Sequence, residues 1–457
     1  MFKALLSLFR PRAANKLAEV RPAAVAAAVA AADAGQTYLC HRPILDRGQR
    51  VVAHELSVDV HRALRACPWQ VPSRKLFEDV LLRQFAQARL EALLAQRRVF
   101  LPVGSGIVEH PALHSLPRQN VVLQIAWHEE GRPGSPGTLA DGMQRLRAMG
   151  FALACAHELL DGDEKAGLLA DYITVDVGRM APPELLDVQR RLATHRQQQP
   201  LLAMNIAFME MYQACRQIRF THFHGDFIRC SEEAPVDIDL PPYKAAAMEL
   251  LNAIRAQASA AVLAERAWID PTLVLRLLRV VNSPAMRLRT PISDLKQGIA
   301  YLGYDELYRW VTLLLFSSQR AEDRHPMEYA WRETALVRGR FMELAAAGRL
   351  PAKACSQLFV VGVLSMIDKL FAMPMPYALE KFALSPEVSQ ALLFRRGSYA
   401  PYYELALACE NGEQTSIETL AAGCGLDMDI VNRHQIEALE WMLEFTDALE
   451  ELARDMR

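Results

Sequence analysis

One carboxylate stands out because of where it falls. Glu55 sits near the middle of the apolar run 51–60, in the stretch AHELSVDV, just after the polar segment YLCHRPILDRGQR. Such a run reads as a strand that follows a turn. A carboxylate on a strand can bind a hard divalent cation if several more oxygen ligands converge with it, and otherwise it is what remains of such a site. His222 and His224 are two residues apart in HFH, which places them on the same side of a strand. That spacing can hold zinc if a third ligand joins them, and otherwise serves packing or the surface. The tripeptide HEL occurs at 54 and at 157, but neither copy has a second His three residues after the Glu, so the metalloprotease helix motif is missing. The dipeptide His-Asp never occurs, and the second half of the chain offers only His325 and His434. The 8 cysteines are scattered and none forms Cys-x-x-Cys. Buried free thiols in a reducing cytoplasm fit this spacing better than a structural zinc or a disulfide framework.

These side chains need elements to position them. Between 36 and 230, short β-rich runs alternate with helical stretches. The candidate strands are TYLCHRPIL, VVAHELSV, RVFLPV, NVVLQIAW, GFALACAHE, DYITVDV, LLAMNIA and FTHFHGDFI. Several are nearly continuous apolar runs, as expected when both faces of a strand are covered. A helix is predicted over 74–97, capped by Ser73, because Leu76, Val80, Leu81, Phe85, Leu90 and Leu94 recur at helical spacing. Another is predicted over 182–194. The alternation argues for an α/β fold, and eight strands permit a barrel. EEGRPGSPGT at 129–138 reads as a surface loop.

After about 232 the pattern changes. SEEAPVDIDLPPYK is a polar, proline-containing joint, and from 242 to 456 almost everything is helical. Asp270 is a natural N-cap and Pro271 suits the first helical position. Leu273, Leu277 and Val280 then share a buried face, and Asn282, Ser283 and Pro284 stop the helix. Ser293 is expected to cap the next helix and Gly303 to end it in a left-handed conformation. A third begins at DELYRWVTLLLFSS, and the whole reads as an all-α bundle. Trp268, Trp310, Leu313, Leu314, Leu315 and Phe316 are expected in its core, with Met366, Met373 and Met375 filling gaps or lining an adaptable surface. The predicted organisation is a helical extension at 1–35, an α/β domain at 36–232, and a helical domain at 233–457 ending in an acidic amphipathic helix.

Bulk properties exclude some classes. The 457 residues are 51% hydrophobic and 23% charged with a net charge of −2, a soluble composition with no global pull toward nucleic acid or anionic membrane. No apolar run approaches the ~20 residues needed to cross a bilayer. Phe2, Leu5, Leu6 and Phe9 share a helical face, but Arg10, Pro11 and Arg12 interrupt it, which argues against a secretory signal. That face fits a loosely docked terminus, or a contact with a membrane or partner. Arg276, Arg279, Arg287, Arg289, Lys296 and Arg309, interspersed with Asp294, Asp305 and Glu306, read as a solvated face first and an acidic-partner surface second. Nucleic acid comes last.

The second half resembles the HDOD domain, the HD-related output domain of bacterial signalling proteins. The likeness is carried by DPTLVLRLLRVVNSP, PISDLKQGIAYLG, FMELAAA, LFVVGVLSMIDKLFAMPM and LSPEVSQALL, in that order over roughly 240–415. The first half resembles an EAL domain: CHRPILDRGQRVVAHELSV matches that family's opening hairpin with Glu55 at the signature glutamate, and ADYITVDV and FTHFHGDFI match two later strands. The resemblance implies a TIM-like barrel in front of a helical bundle. In active members it also implies hydrolysis of cyclic di-GMP with metals held by the signature Glu, an Asn, a second Glu and a pair of Asp, supported by a Lys and a Gln.

Carried over residue by residue, only Glu55 keeps its place. The Asn position falls at Pro102, the second Glu at Gln124, the Asp pair near Ala156 and His157, the Lys at Thr174 and the Gln at His224. Asp176 remains, and Glu158, Asp161 or Asp163 could slide into the place of the missing pair. A set this poor in carboxylate oxygens makes a weak Mg²⁺ site. The expectation is therefore a cytoplasmic, non-catalytic signalling protein with no cofactor. It would act through protein partners linked to cyclic di-GMP-related control of motility, attachment or biofilm. Cyclic di-GMP itself is an unlikely ligand in this reading, nucleic acid and stable membrane insertion are not expected, and a homo-oligomer is compatible with it. The alternative is a cyclic di-GMP phosphodiesterase or a non-hydrolysing receptor for that dinucleotide. In the helical half Asp270, Pro271, Leu277, Asn282, Ser283 and Gly303 are expected to be mainly structural.

Overall fold

The computed structural model describes residues 37–58, 71–88, 90–127, 138–160, 164–180, 182–195, 199–229, 242–282, 290–315 and 327–454. The N-terminal extension, most of the loop 129–138, the joint 230–241, and Asp161, Asp163, Ser283, Pro284, Arg287, Arg289, Phe316 and His325 lie outside them. The chain divides into two compact units. One contains Met1–Cys230, Ala408–Ala421 and Asp427–Ile436, and the other Ser231–Leu407, Ala422–Leu426 and Glu437–Arg457. Part of the stretch that sequence reasoning gave to the helical half thus groups with the barrel.

All eight candidate strands form, and they close into one barrel in chain order. The strands are β1 (Leu39–Asp46), β2 (Val51–Val58), β3 (Arg98–Gly104), β4 (Val121–Trp127), β5 (Ala152–Ala156), β6 (Tyr172–Asp176), β7 (Leu201–Ile206) and β8 (His222–Gly225). β1 runs antiparallel to both neighbours, β2 and β8, and the other pairs are parallel. The polar segment between β1 and β2 is a tight reversal, closed by Gln49 N–H donating to Asp46 O (3.0 Å) and Arg50 N–H to the Asp46 carboxylate (3.0 Å). The helices of this part are α1 (Val71–Gln87), α2 (Glu91–Gln96), α3 (Leu139–Ala148), α4 (Glu164–Leu169), α5 (Pro182–His195) and α6 (Met209–Gln217).

The expected helix 74–97 is corrected at both ends. It starts at Val71, ahead of Ser73, with Pro72 in the first turn where its missing N–H costs nothing. It breaks after Gln87: Ala88 N–H tightens onto Phe85 O (3.3 Å) and Leu90 leaves helical geometry at φ −87, ψ 20. Leu90 and Leu93 are both buried, so packing overrides helical continuity here.

The start of β1 is completed by the later segments of its own unit. Tyr38 N–H donates to Gln414 Oε1 (2.9 Å) and Leu39 N–H to Asn432 Oδ1 (2.9 Å), while Asn432 Nδ2 donates to Thr37 O (2.8 Å). Amide side chains thereby satisfy a buried strand end that has no further strand beside it.

The second unit is helical. Its elements, with the later segments shared out as above, are α7 (Pro242–Arg255), α8 (Ala260–Ala267), α9 (Pro271–Val281), α10 (Leu295–Leu314), α11 (Glu328–Ala346), α12 (Ala352–Leu364), α13 (Ile367–Leu370), α14 (Met375–Glu380), α15 (Pro386–Phe394), α16 (Ala400–Asn411), α17 (Gln414–Gly423) and α18 (Met428–Arg454). Asp270 caps α9, its carboxylate accepting from Thr272 N–H (3.0 Å) and Thr272 Oγ1 (2.7 Å), with Pro271 at the first position. Leu273, Leu277 and Val280 are buried on one face. Asn282 does more than stop the helix: its amide donates to Leu278 O (2.8 Å) and Ile292 O (2.8 Å) and accepts from Ile292 N–H (2.7 Å), stitching the end of α9 to the strand-like lead into α10.

Three expectations change in this unit. The cap of α10 is Asp294, not Ser293; Asp294 is extended (φ −96, ψ 120), directly precedes the helix and accepts from Lys296 N–H (3.1 Å). A carboxylate there also answers the positive end of the helix dipole. Gly303 has the expected positive φ, 76, and separates two helical pieces of α10 where a stop was expected, but its ψ of 170 lies outside the left-handed helical region. Trp268 is 59% exposed, because the buried stripe of α8 runs through Leu263 and Ala267 and the next residue turns outward. Trp310 is half-buried, and Leu313, Leu314, Leu315, Met366 and Met373 are in the core as expected.

Candidate functional site: the mouth of the barrel

Side chains alternate along a strand, so every second residue faces the barrel interior. One inward layer is apolar: Ile44, Ala53, Phe100, Val122, Ala154, Tyr172 and Leu202 pack together, with Met204 against them. Two residues further toward the C-terminal ends of the parallel strands lies the next layer. It consists of Glu55, Pro102, Gln124, Ala156, Thr174, Met204 and His224, with Arg42 contributed by the antiparallel β1. In a (β/α) barrel this end is where the chemistry of a site is built.

The pairing register fixes who neighbours whom. Arg42 is opposite Glu55, Pro102 opposite Gln124, and Ala156 opposite Thr174, while Asp176, at the end of β6, is opposite Met204. His224 Nε2 lies 3.8 Å from Glu55 Oε1, and both side chains are almost wholly buried. Gln124, Thr174 and His157 are buried as well. Asp176 stands at the rim with Arg179 at 3.4 Å. His157 Nδ1 is 3.0 Å from the Glu158 carboxylate. Burial pushes Glu158 up, but the hydrogen bond and charge of His157, with Arg179, bring it below the usual carboxylate range. Among the described residues, no group of three or more His, Cys, Asp or Glu side chains is placed to hold a metal ion.

His222 and His224 do share the inner side of β8 but serve different layers. His222 Nδ1 is 2.9 Å from Thr221 Oγ1, and its ring stands edge-on to Tyr172, whose hydroxyl takes a hydrogen bond from Arg98. His224 belongs with Glu55.

The residue missed by sequence reasoning is Arg42. It is 8% exposed, and its Nη2 donates to Asn411 O (2.9 Å). Burial works against its charge, but Cys40, Asp226 and Glu55 outweigh that and raise its pKa. The signal was available: an Arg two residues before Ile44 in the apolar run of β1 must point inward if Ile44 does. On the other side of the hairpin wall, His54 is buried and His41 half-buried, with ring centroids 6.3 Å apart, and His41 Nε2 lies 3.1 Å from Gln435 Oε1. Burial lowers both pKa values. That of His54 falls furthest, with His41 and Arg97 adding to the effect.

A closed eight-stranded barrel followed along the chain by a helical part is therefore the architecture that fold and sequence define together. Residues 240–385 match the HDOD domain family. Across most of its length the chain is similar to YuxH of Bacillus subtilis (strain 168), an uncharacterized protein, with 25% identity over 90% of this chain and 100% of the relative. It is likewise similar to the cyclic di-GMP phosphodiesterase CdgJ of Vibrio cholerae serotype O1, with 24% identity over 89% of this chain and 92% of the relative. Among solved structures it is similar to the FimX EAL domain from Pseudomonas aeruginosa bound to c-di-GMP, at 15% identity and a TM-score of 0.31, covering 45% of this chain and 95% of that domain. No helix among the described residues is long and apolar enough to cross a membrane.

Proposed function

We propose that this chain is a bacterial signalling protein of cyclic di-GMP-related control, acting in the cytoplasm through contacts with other proteins and not by hydrolysis. The observation that supports it is the composition of the inward layer at the barrel mouth. Of the positions that the resemblance assigns to metal ligands, Glu55 alone offers a carboxylate. Pro102, Ala156 and Thr174 bring no charged oxygen, Gln124 is neutral, and His157 is an imidazole. Two divalent cations need several hard oxygens each, so the residues present do not fit the pair. The two HEL sites and the histidine pair add no further ligand set among the described residues. The helical unit supplies the output: by the HDOD resemblance it is the part that engages partners.

A second reading has a specific observation behind it. The Vibrio relative is named for its action on cyclic di-GMP, which favours that dinucleotide as a ligand or substrate of this barrel and leaves the expectation against it without support. One assay separates the readings. The full chain is incubated with cyclic di-GMP and MnCl2 or MgCl2, and the nucleotides are resolved by chromatography. The expected result is intact dinucleotide. Turnover that disappears in Glu55→Ala would establish the phosphodiesterase. Calorimetry with the same ligand, with no metal added, distinguishes a receptor from a barrel that does not bind it.

A further inference from the structure

We infer that Arg42 is a resident cation of the barrel mouth, balancing Glu55 where the family resemblance would place a metal; this rests on the non-hydrolytic reading above. Three observations converge on it. Arg42 and Glu55 stand opposite each other in the backbone register of β1 and β2, and Glu55 is one of the negative groups, after Cys40 and Asp226, that favour the charge of Arg42. Both are nearly excluded from solvent, at 8% and 2% exposure. A buried carboxylate is retained when a partner compensates it, and a guanidinium is the side chain that stays charged under burial. Finally, Arg42 is held in place from behind: Nη2 donates to the main-chain carbonyl of Asn411 (2.9 Å) at the C-terminal end of α16, where the helix dipole favours positive charge.

The approach of that carbonyl is itself built in. Asn411 is followed by Gly412 at φ +73, a conformation that suits glycine, and a Cβ there would come within 2.9 Å of Cys40 Sγ. Asn411 is also fixed on its other side. Arg229 Nη1 donates to Asn411 Oδ1 (3.0 Å) and lies 3.8 Å from Glu410, while its Nη2 pairs with Asp226 (2.5 Å). His224 from β8 lies 3.8 Å from Glu55, while Cys40, Asp226 and Glu55 together favour the charge of Arg42, and Arg229 pairs with Asp226 and lies 3.8 Å from Glu410 behind them. Arg42 is thereby the positive charge that the chain itself sets opposite Glu55 at the barrel mouth.

The test uses the full chain and the thermal midpoint of the barrel in three variants: Arg42→Met, Glu55→Gln, and the two combined. Arg42→Met should lower the midpoint by roughly 5–10 °C, the scale for removing one partner of a buried pair. Glu55→Gln should lower it too, although it deletes a buried charge, because Arg42 is then left without its carboxylate. The double variant should melt above Arg42→Met. A packing role alone would not produce that recovery. Losses that simply add would overturn the inference. If Arg42→Met does not fold, Glu55→Gln alone decides: a midpoint at or above that of the natural chain overturns it. Hydrolysis of cyclic di-GMP by the natural chain would instead count against the proposed function and leave the coupling of the two residues to be judged by these midpoints.

Discussion

Glycine to alanine within a helix ordinarily stabilises, by about 1 kcal/mol. Gly362→Ala should do the opposite. Gly362, in α12, lies so close to α11 that a Cβ would be 2.4 Å from Gly339 Cα and 2.5 Å from Gly339 N. From the other side, a Cβ on Gly339 would be 2.7 Å from Phe359 O and 2.9 Å from Val363 Cγ2. The obstacles are mostly backbone atoms, so no rotamer change relieves them, and ordinary contact requires the two helices to part by about an ångström. Parting them opens the packing of Phe341 and Phe359, both fully buried. Overpacking of this kind costs up to about 3 kcal/mol. Set against the gain in propensity, the net loss is roughly 2 kcal/mol, or about 4–8 °C for a unit of this size. Scanning calorimetry of the full chain reads it directly. Gly423→Ala is the matched control. Gly423 closes α17, a Cβ there meets nothing within 4 Å, and the same substitution should be neutral or stabilising. A Gly362→Ala chain that melts at or above the natural one would refute the reasoning.

Two further substitutions test the stitching of α9. Asp270→Ala should cost about 1 kcal/mol through loss of the cap. Asn282→Ala should cost about 1–2 kcal/mol, because it removes the partner of both the Ile292 N–H and the Ile292 carbonyl; both are read as midpoint shifts of the helical unit. Acid should weaken the barrel through His41 and His54. Their folded pKa values lie below the unfolded value, so the unfolded chain binds protons below about pH 6.5 while the folded barrel does not. The stability they contribute is complete above that pH and is lost as pH falls toward the folded values. His54→Gln should flatten the fall in midpoint between pH 7 and 5, and an unchanged slope would show that the acid loss arises elsewhere.

The eight strands were legible because each is a compact apolar run bounded by polar residues, and β6, ADYITVDV, shows how little else was needed. Helix ends were less legible. Ser293 and Asp294 are adjacent capping types, and the choice between them depends on where the chain turns, which Asn282 settles from ten residues away. Trp268 shows the same limit, since a large aromatic one residue past a helix has no periodicity to say which way it faces. At the site, the resemblance supplied positions but not their neighbours. It named Glu55 and His224, which the structure brings to 3.8 Å, and it passed over Arg42, whose partners Glu55 and Asn411 are 13 and 369 residues away. Contacts of that range leave no local pattern.

A barrel requires its inward layer to be filled, and filling does not require charge. Pro102, Ala156, Thr174 and Met204 occupy that layer without a formal charge, Gln124 adds a neutral amide, and the closed sheet keeps its register around them. The frame therefore carries no information on whether the mouth does chemistry; that depends on the few charged groups within it. Among the described residues, several of these charged groups have a counterpart supplied by the chain. Glu55 faces Arg42 and His224, Asp226 faces Arg229, and Asp176 faces Arg179. The helical unit has its own instance: Glu343 is bridged by Arg309 (2.7 Å) and Arg340 (2.6 Å). Interiors whose charges are balanced from within make few demands on an external ion.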